Sequence, residues 1–214
     1  MRASRCGVFC LAAALLCLES GAASNSNGVP EQATQLPPGF APLVPKGARL
    51  VAPGFSRNEG MGTVKFSAEK KAGDSSIIYQ FELHCFADAM WMALEPAYRQ
   101  QLEQEVDKVR RQCLAHVQHV SASGTGAEVY APEVKSYPWG KSVTQRTDRH
   151  RVGEISGKVL PIITTYQCWY FGMANRSTFN MTVSGREESL DDANEWAVKA
   201  AEKAAATNLG NISE

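Results

Sequence analysis

Apolar and polar positions alternate most regularly near the C-terminus. From Thr178 to Ser184, Phe179, Met181 and Val183 fall on one side and Thr178, Asn180, Thr182 and Ser184 on the other, the pattern of a half-exposed strand. The segment Ile162 to Phe171 before it is dense in β-branched and aromatic side chains, and Gly172 to Ser177 supplies turn residues, so the two predict a β-hairpin. A second hairpin is read upstream. Ile77, Tyr79, Phe81, Leu83 and Cys85 alternate with Gln80, Glu82 and His84, and this strand pairs with a weaker one, Thr63 to Ala68, through a turn at Gly73-Asp74.

The period changes between the hairpins. Tyr98, Leu102, Val106, Val109, Cys113, Val117 and Val120 recur three and four apart, predicting an amphipathic helix opened by Glu95-Pro96 and stopped at Gly124 and Gly126. A last helix begins at Ser189-Leu-Asp-Asp192, a capping-box pattern, and its face of Leu190, Ala193, Ala197, Ala201, Ala204 and Ala205 is small enough to lie close against a sheet. Glu128 to Ala131 reads as a short strand and Tyr137 to Gly140 as a turn. The polar stretch Ser142 to Glu154 reads as an edge strand whose charges discourage pairing with another chain. Strands that follow one another without helices favour antiparallel pairing. The expectation is an α+β fold: an antiparallel sheet centred on the C-terminal hairpin, with two amphipathic helices packed on one face.

Ahead of the domain, Arg2 and Arg5 precede an apolar run from Cys6 to Leu18 and small residues from Ser20 to Ser24, the order of a secretory signal peptide over residues 1–23. The run is shorter than the roughly 20 residues a membrane span needs. Cys17 follows Leu16 and Cys10 follows Phe9, a poor context for lipidation. Pro30, Pro37, Pro38, Pro42, Pro45 and Pro53 then crowd one stretch, so residues 24–45 read as a Pro-rich flexible tether and 46–214 as a single domain. The expected location is exported, periplasmic or secreted. Three glycosylation tripeptides, at Asn175, Asn180 and Asn211, leave a bacterial or eukaryotic origin open.

Charge narrows the partners. Lys plus Arg equals Asp plus Glu at 22 each in 214 residues, which disfavours nucleic acid and purely electrostatic attachment to anionic lipid, and nothing points to integral membrane association. Removal of the signal peptide leaves Cys85, Cys113 and Cys168. A helix folded back over its strand would separate Cys85 from Cys113, so Cys168 is the expected shared partner. A Cys85–Cys168 disulfide is expected first, Cys113–Cys168 second, with an intermolecular bridge or three buried thiols as the further arrangements.

No catalytic set emerges. Ser67-Ala-Glu-Lys70 lacks the partner motifs of Ser-x-x-Lys enzymes, and Gly140-Lys141-Ser142 lacks the upstream glycine of a phosphate loop. Cys113, His116 and His119 share a helix, but six residues turn it about 600°, so the three cannot converge on a metal. Neither metal nor cofactor is expected, and no stretch resembles a family whose functional residues could be carried over. Asp148-Arg-His-Arg151 reads first as a charged edge and second as a carboxylate or phosphate site. Large amphipathic side chains beside that edge make Tyr130, Tyr137, Trp139 and Arg149 the expected contact surface for an unknown protein or small ligand of the cell envelope, bound without turnover. Two alternatives stand beside it: a small secreted hydrolase drawing on His84, His150, Glu154 or Asp148, and a structural envelope component.

Overall fold

The computed structural model describes residues 36–123, 127–149 and 162–212; the signal peptide, most of the tether, His150 and Glu154 lie outside the described residues. Both expected hairpins form and become the middle of one sheet. The strands are β1 (Arg49–Leu50), β2 (Gly54–Arg57), β3 (Met61–Ala72), β4 (Ser75–Phe86), β5 (Ala127–Val129), β6 (Glu133–Tyr137), β7 (Gly140–Arg149), β8 (Ile163–Ala174) and β9 (Ser177–Arg186). Two long helices, α1 (Asp88–Ser123) and α2 (Leu190–Ala206), complete the fold. The spatial order is β1-β3-β4-β9-β8-β7-β5, with β2 also on β3 and β6 also on β7. Every pairing is antiparallel. The C-terminal hairpin therefore sits at the centre, β9 against β4 and β8 against β7.

Local chemistry explains the turns. Asn175 and Arg176 carry φ of 47° and 64°, the paired left-handed residues of a two-residue turn that matches strand twist. Gly172 is thus inside β8, where a Cβ would fall 2.1 Å from the Phe179 ring. Gly73, φ 62°, turns β3 into β4.

The helices lie on opposite faces of the sheet, which corrects the expectation of one shared face. Alternate residues of β8 decide this. Tyr166, Cys168 and Tyr170 join the main core with Met181, Val183, Trp196 and Ala197, whereas Trp169 and Phe171 pack with Val143 against Val106, Val109 and Cys113 of α1. A strand apolar on both sets of positions is covered from both sides. β7 is likewise interior, paired to β8 on one side and to β5 and β6 on the other, so the edge-strand reading of its polar sequence is also corrected.

The α2 face is the dry one. Ala193, Ala197, Ala200, Ala201 and Ala204 are fully buried, so the helix backbone lies close to the strands. Ser189 does not cap α2 with its side chain; its Oγ donates to the Arg186 carbonyl at 2.7 Å and lies 2.9 Å from the Tyr166 hydroxyl. A 3₁₀ turn, Pro38–Leu43, closes this layer: Phe40 is 1% exposed, and Trp196 Nε1 donates to the Leu43 carbonyl at 2.7 Å. Packing thus begins ahead of the boundary expected near residue 45.

On the other face, α1 starts at Asp88 instead of Pro96. Pro96 has no N–H for the Met92 carbonyl, a defect that costs about 3 kcal/mol in an unsupported helix. The first turns are held by a stack in which Phe86 lies 5.8 Å from Trp91 and 5.2 Å from Tyr98.

Among the described residues no disulfide forms, which corrects the expected pairing: Cys85, Cys113 and Cys168 are free and buried. Cys168 is opposite Val183, which is opposite Tyr79, six residues before Cys85 on β4. That is about 20 Å along the sheet, against the roughly 7 Å a bridge allows. Cys113 is on the far side of the sheet from Cys168. Burial pushes the Cys85 thiol up to about 12 and that of Cys113 to about 11, which makes both poor nucleophiles.

Candidate functional site

Because α1 covers only part of its face, alternate residues of β4, β9, β8 and β7 are left to line a groove of 480 Å³ beside its C-terminal half. That size is in the range of small-molecule sites. The floor follows from strand register. Gln145, Gln167 and Ser184 are successive partners across β7, β8 and β9, and Thr147, Thr165 and Arg186 form the next row. All six line the groove, with Arg149 at one end and His116 of α1 above. Their hydroxyls and amides can donate and accept.

Gln145 is 7% exposed, and its Nε2 donates to the Cys113 carbonyl at 2.9 Å, bonding floor to helix and leaving its carbonyl oxygen as an acceptor. Arg186 is ion-paired at 2.9 Å to Asp74 in the β3–β4 turn. The Arg149 side chain makes no hydrogen bond or ion pair with any described residue, and no Asp or Glu is among the described residues lining the groove.

The four residues expected to share one contact surface are divided. Tyr137 and Trp139 stack at 4.5 Å, and Trp139 also packs 5.6 Å from Phe179, on the α2 side. Tyr130 is about 20 Å farther along β7, where its hydroxyl donates to Asp148 at 2.9 Å and the Arg146 guanidinium lies over its ring. Arg146 also pairs with Asp148 at 3.2 Å and with Glu187 at 3.4 Å. Burial works against ionisation of Asp148, but hydrogen bonds from Thr164, Arg146 and Tyr130 outweigh it and hold the carboxyl below its ordinary value. The same bond from Tyr130 raises its own phenol. Arg149 points to the opposite face, into the groove.

A second polar cluster stands on the same face of β3 and β4. Thr63 and His84 are cross-strand partners with Oγ1 3.1 Å from Nδ1, while Nε2 is 3.3 Å from Glu82. Hydrogen bonding to His84 lowers the Glu82 carboxyl despite burial. Hydroxyl, imidazole and carboxylate are in relay order. The backbone N–H groups here are spent on inter-strand bonds, however, so the site has no ready oxyanion hole for acyl transfer.

Of the residues that line the groove, sequence reasoning singled out Arg149, but as part of the Tyr137–Trp139 surface, and passed over the others. In sequence His116 is set aside with Cys113 and His119 as unable to converge on a metal, and the hydroxyls of β9 read as the exposed side of a half-exposed strand; nothing local distinguishes a solvent face from a groove floor. The groups nearest a metal site do not converge either, since no cluster of three His, Cys, Asp or Glu occurs among the described residues.

No family model matches the chain, and no curated protein sequence does. Among solved structures, the chain is similar to LpqN of Mycobacterium tuberculosis, described as involved in cell envelope biogenesis, at a TM-score of 0.32 and 11% identity over 82% of this chain and 84% of that one. A likeness at that level assigns neither fold nor role. Among the described residues no helix is long and apolar enough to cross a membrane.

Proposed function

We propose that the chain is an exported, non-catalytic binding protein of the cell envelope that takes a small ligand in the groove between α1 and strands β7, β8 and β9. The observation that carries this reading is the groove itself: about 480 Å³, floored by rows of hydroxyl and amide side chains and bounded at one end by Arg149. Half-buried polar surface of this kind stabilises the fold less than apolar surface would, and it offers a ligand hydrogen-bonding groups in a concave setting. The signal-like N-terminus supports export. Tyr130, Tyr137 and Trp139 border β7 on its other side and offer a separate surface for a protein partner.

Native mass spectrometry of the protein isolated from the cells that make it, beside a Gln167→Trp variant with the groove filled, tests the reading. A non-covalent ligand present in the first and lost from the second, with the same melting temperature, is the expected result. Equal ligand content in both would remove the groove from consideration.

The Thr63–His84–Glu82 relay favours a second reading, a hydrolase. It requires that the released ligand be a cleavage product and that His84→Ala retain the intact compound; binding without turnover requires the same compound from both.

A further inference from the structure

Among the described residues that line the groove, the arginines Arg149 and Arg186 have no acidic counterpart, although the chain as a whole is neutral, with 22 basic and 22 acidic residues. Arg149 and Arg186 project from the same face, two strands and one residue pair apart by register: Arg149 is opposite Ile163, and Thr165, the next groove-facing residue of β8, is opposite Arg186. Strand spacing of about 4.8 Å and rise of about 3.3 Å put their α-carbons about 12 Å apart. Two arginine side chains can close on one small ligand across that gap. Between them lie the hydroxyls of Thr147 and Thr165, and above is the exposed imidazole of His116.

Arg186 is partly neutralised by Asp74, whose side chain is 73% exposed. Arg149 has no described counter-charge, and its planar guanidinium offers a bidentate fork to an oxyanion. Resting on the groove reading, we propose that the ligand is a small hydroxylated molecule bearing a phosphate or carboxylate, the oxyanion held by Arg149 with support from Arg186, and its hydroxyls by the Gln167–Ser184 and Thr147–Thr165 rows. Arg149 is the specificity-determining residue. A neutral polyol would leave its charge unmet, and a cation would be repelled.

The test is an NMR titration of the full exported domain at low salt with inorganic phosphate, glycerol 3-phosphate and glycerol. Phosphate and glycerol 3-phosphate should give saturable shifts at Thr147, Thr165 and Ser184, glycerol 3-phosphate binding tighter and glycerol giving none. Arg149→Gln should weaken binding at least tenfold with melting unchanged, since the residue is exposed; Arg186→Gln should weaken it less. Binding should also fall as salt screens the charges. Phosphatidylglycerol vesicles locate the source: capture that depends on Arg149 assigns the phosphate to a lipid headgroup, and no capture assigns it to a soluble molecule. Equal shifts from glycerol, no shifts at all, or unchanged affinity in Arg149→Gln would overturn the assignment. If the ligand displaced by Gln167→Trp is retained by Arg149→Gln, the groove stands as a binding site and only its anion preference fails.

Discussion

The two faces of the central sheet are made from alternate residues of the same strands, yet their chemistry differs throughout. On the α2 side, Tyr79, Phe81, Leu83, Phe179, Met181 and Val183 are at most 2% exposed and meet an alanine face. On the α1 side the intervening residues include Gln80, Glu82, Thr182 and Ser184; Val143, Trp169 and Phe171 make the apolar contact with the helix, and Gln145 and Lys141 reach it through polar bonds. One face holds the fold together. The other is partly roofed, and the uncovered remainder gathers hydroxyl, amide and guanidinium groups. The comparison teaches that a helix laid across a polar sheet face makes a groove, while one laid on an apolar face makes a core.

Substitutions on the two sides should sharpen this contrast. Phe81→Ala removes a ring stacked 5.3 Å from Phe66 and 6.1 Å from Phe40, and should cost about 3 to 5 kcal/mol in denaturant unfolding. Asp148→Asn should cost about 1 to 3 kcal/mol at neutral pH through its hydrogen bonds to charged and phenolic donors. Because the folded carboxyl titrates below its unfolded value, its contribution is complete above about pH 4 and is lost as pH falls through the lower folded value. The gap between wild type and Asp148→Asn should therefore close in acid; a gap that widens below pH 4 contradicts the assignment.

Val106→Ala, on the smaller α1 interface, should cost about 1.5 kcal/mol, from roughly 0.8 kcal/mol per methylene-sized group. A loss as large as that of Phe81→Ala would mean that α1 is as integral to the core as α2. Ser184→Ala, on the groove floor, should change stability by less than about 0.5 kcal/mol. A larger loss would show that the floor is structural, and would blunt the distinction between the faces.

Much of this architecture was legible as pattern. Strict alternation in β4 and β9 names the residues of the main core, because strand side chains change face at every step. The stripe Leu102, Val106, Val109 and Cys113 packs against Val143, Trp169 and Phe171, because three- and four-residue spacing keeps side chains on one side. Antiparallel pairing followed from the succession of strands. Arg149 was singled out from sequence too, in a stretch that no core period claimed, but for a surface with Tyr130, Tyr137 and Trp139 that lies on the other face of the sheet.

Other features depend on which segments meet. The face chosen by α1 is set by Trp169 and Phe171, and the run Cys168-Trp-Tyr-Phe171 is apolar at every position without saying what covers each side. Pro96 carries the same φ preference at a helix start as inside one, so only the Phe86–Trp91–Tyr98 stack extends α1 back to Asp88. Ser189 has a capping partner in sequence and a better one, Tyr166, in space. The cysteines could be paired on paper because sequence carries no distances, and strand register separates them. Arg149, Arg186 and His116 lie far apart along the chain, and three different elements bring them to one groove. Periodicity is a property of a single element and can be read from it; the coincidence of side chains from several elements is a property of their packing, and only the tertiary structure holds it.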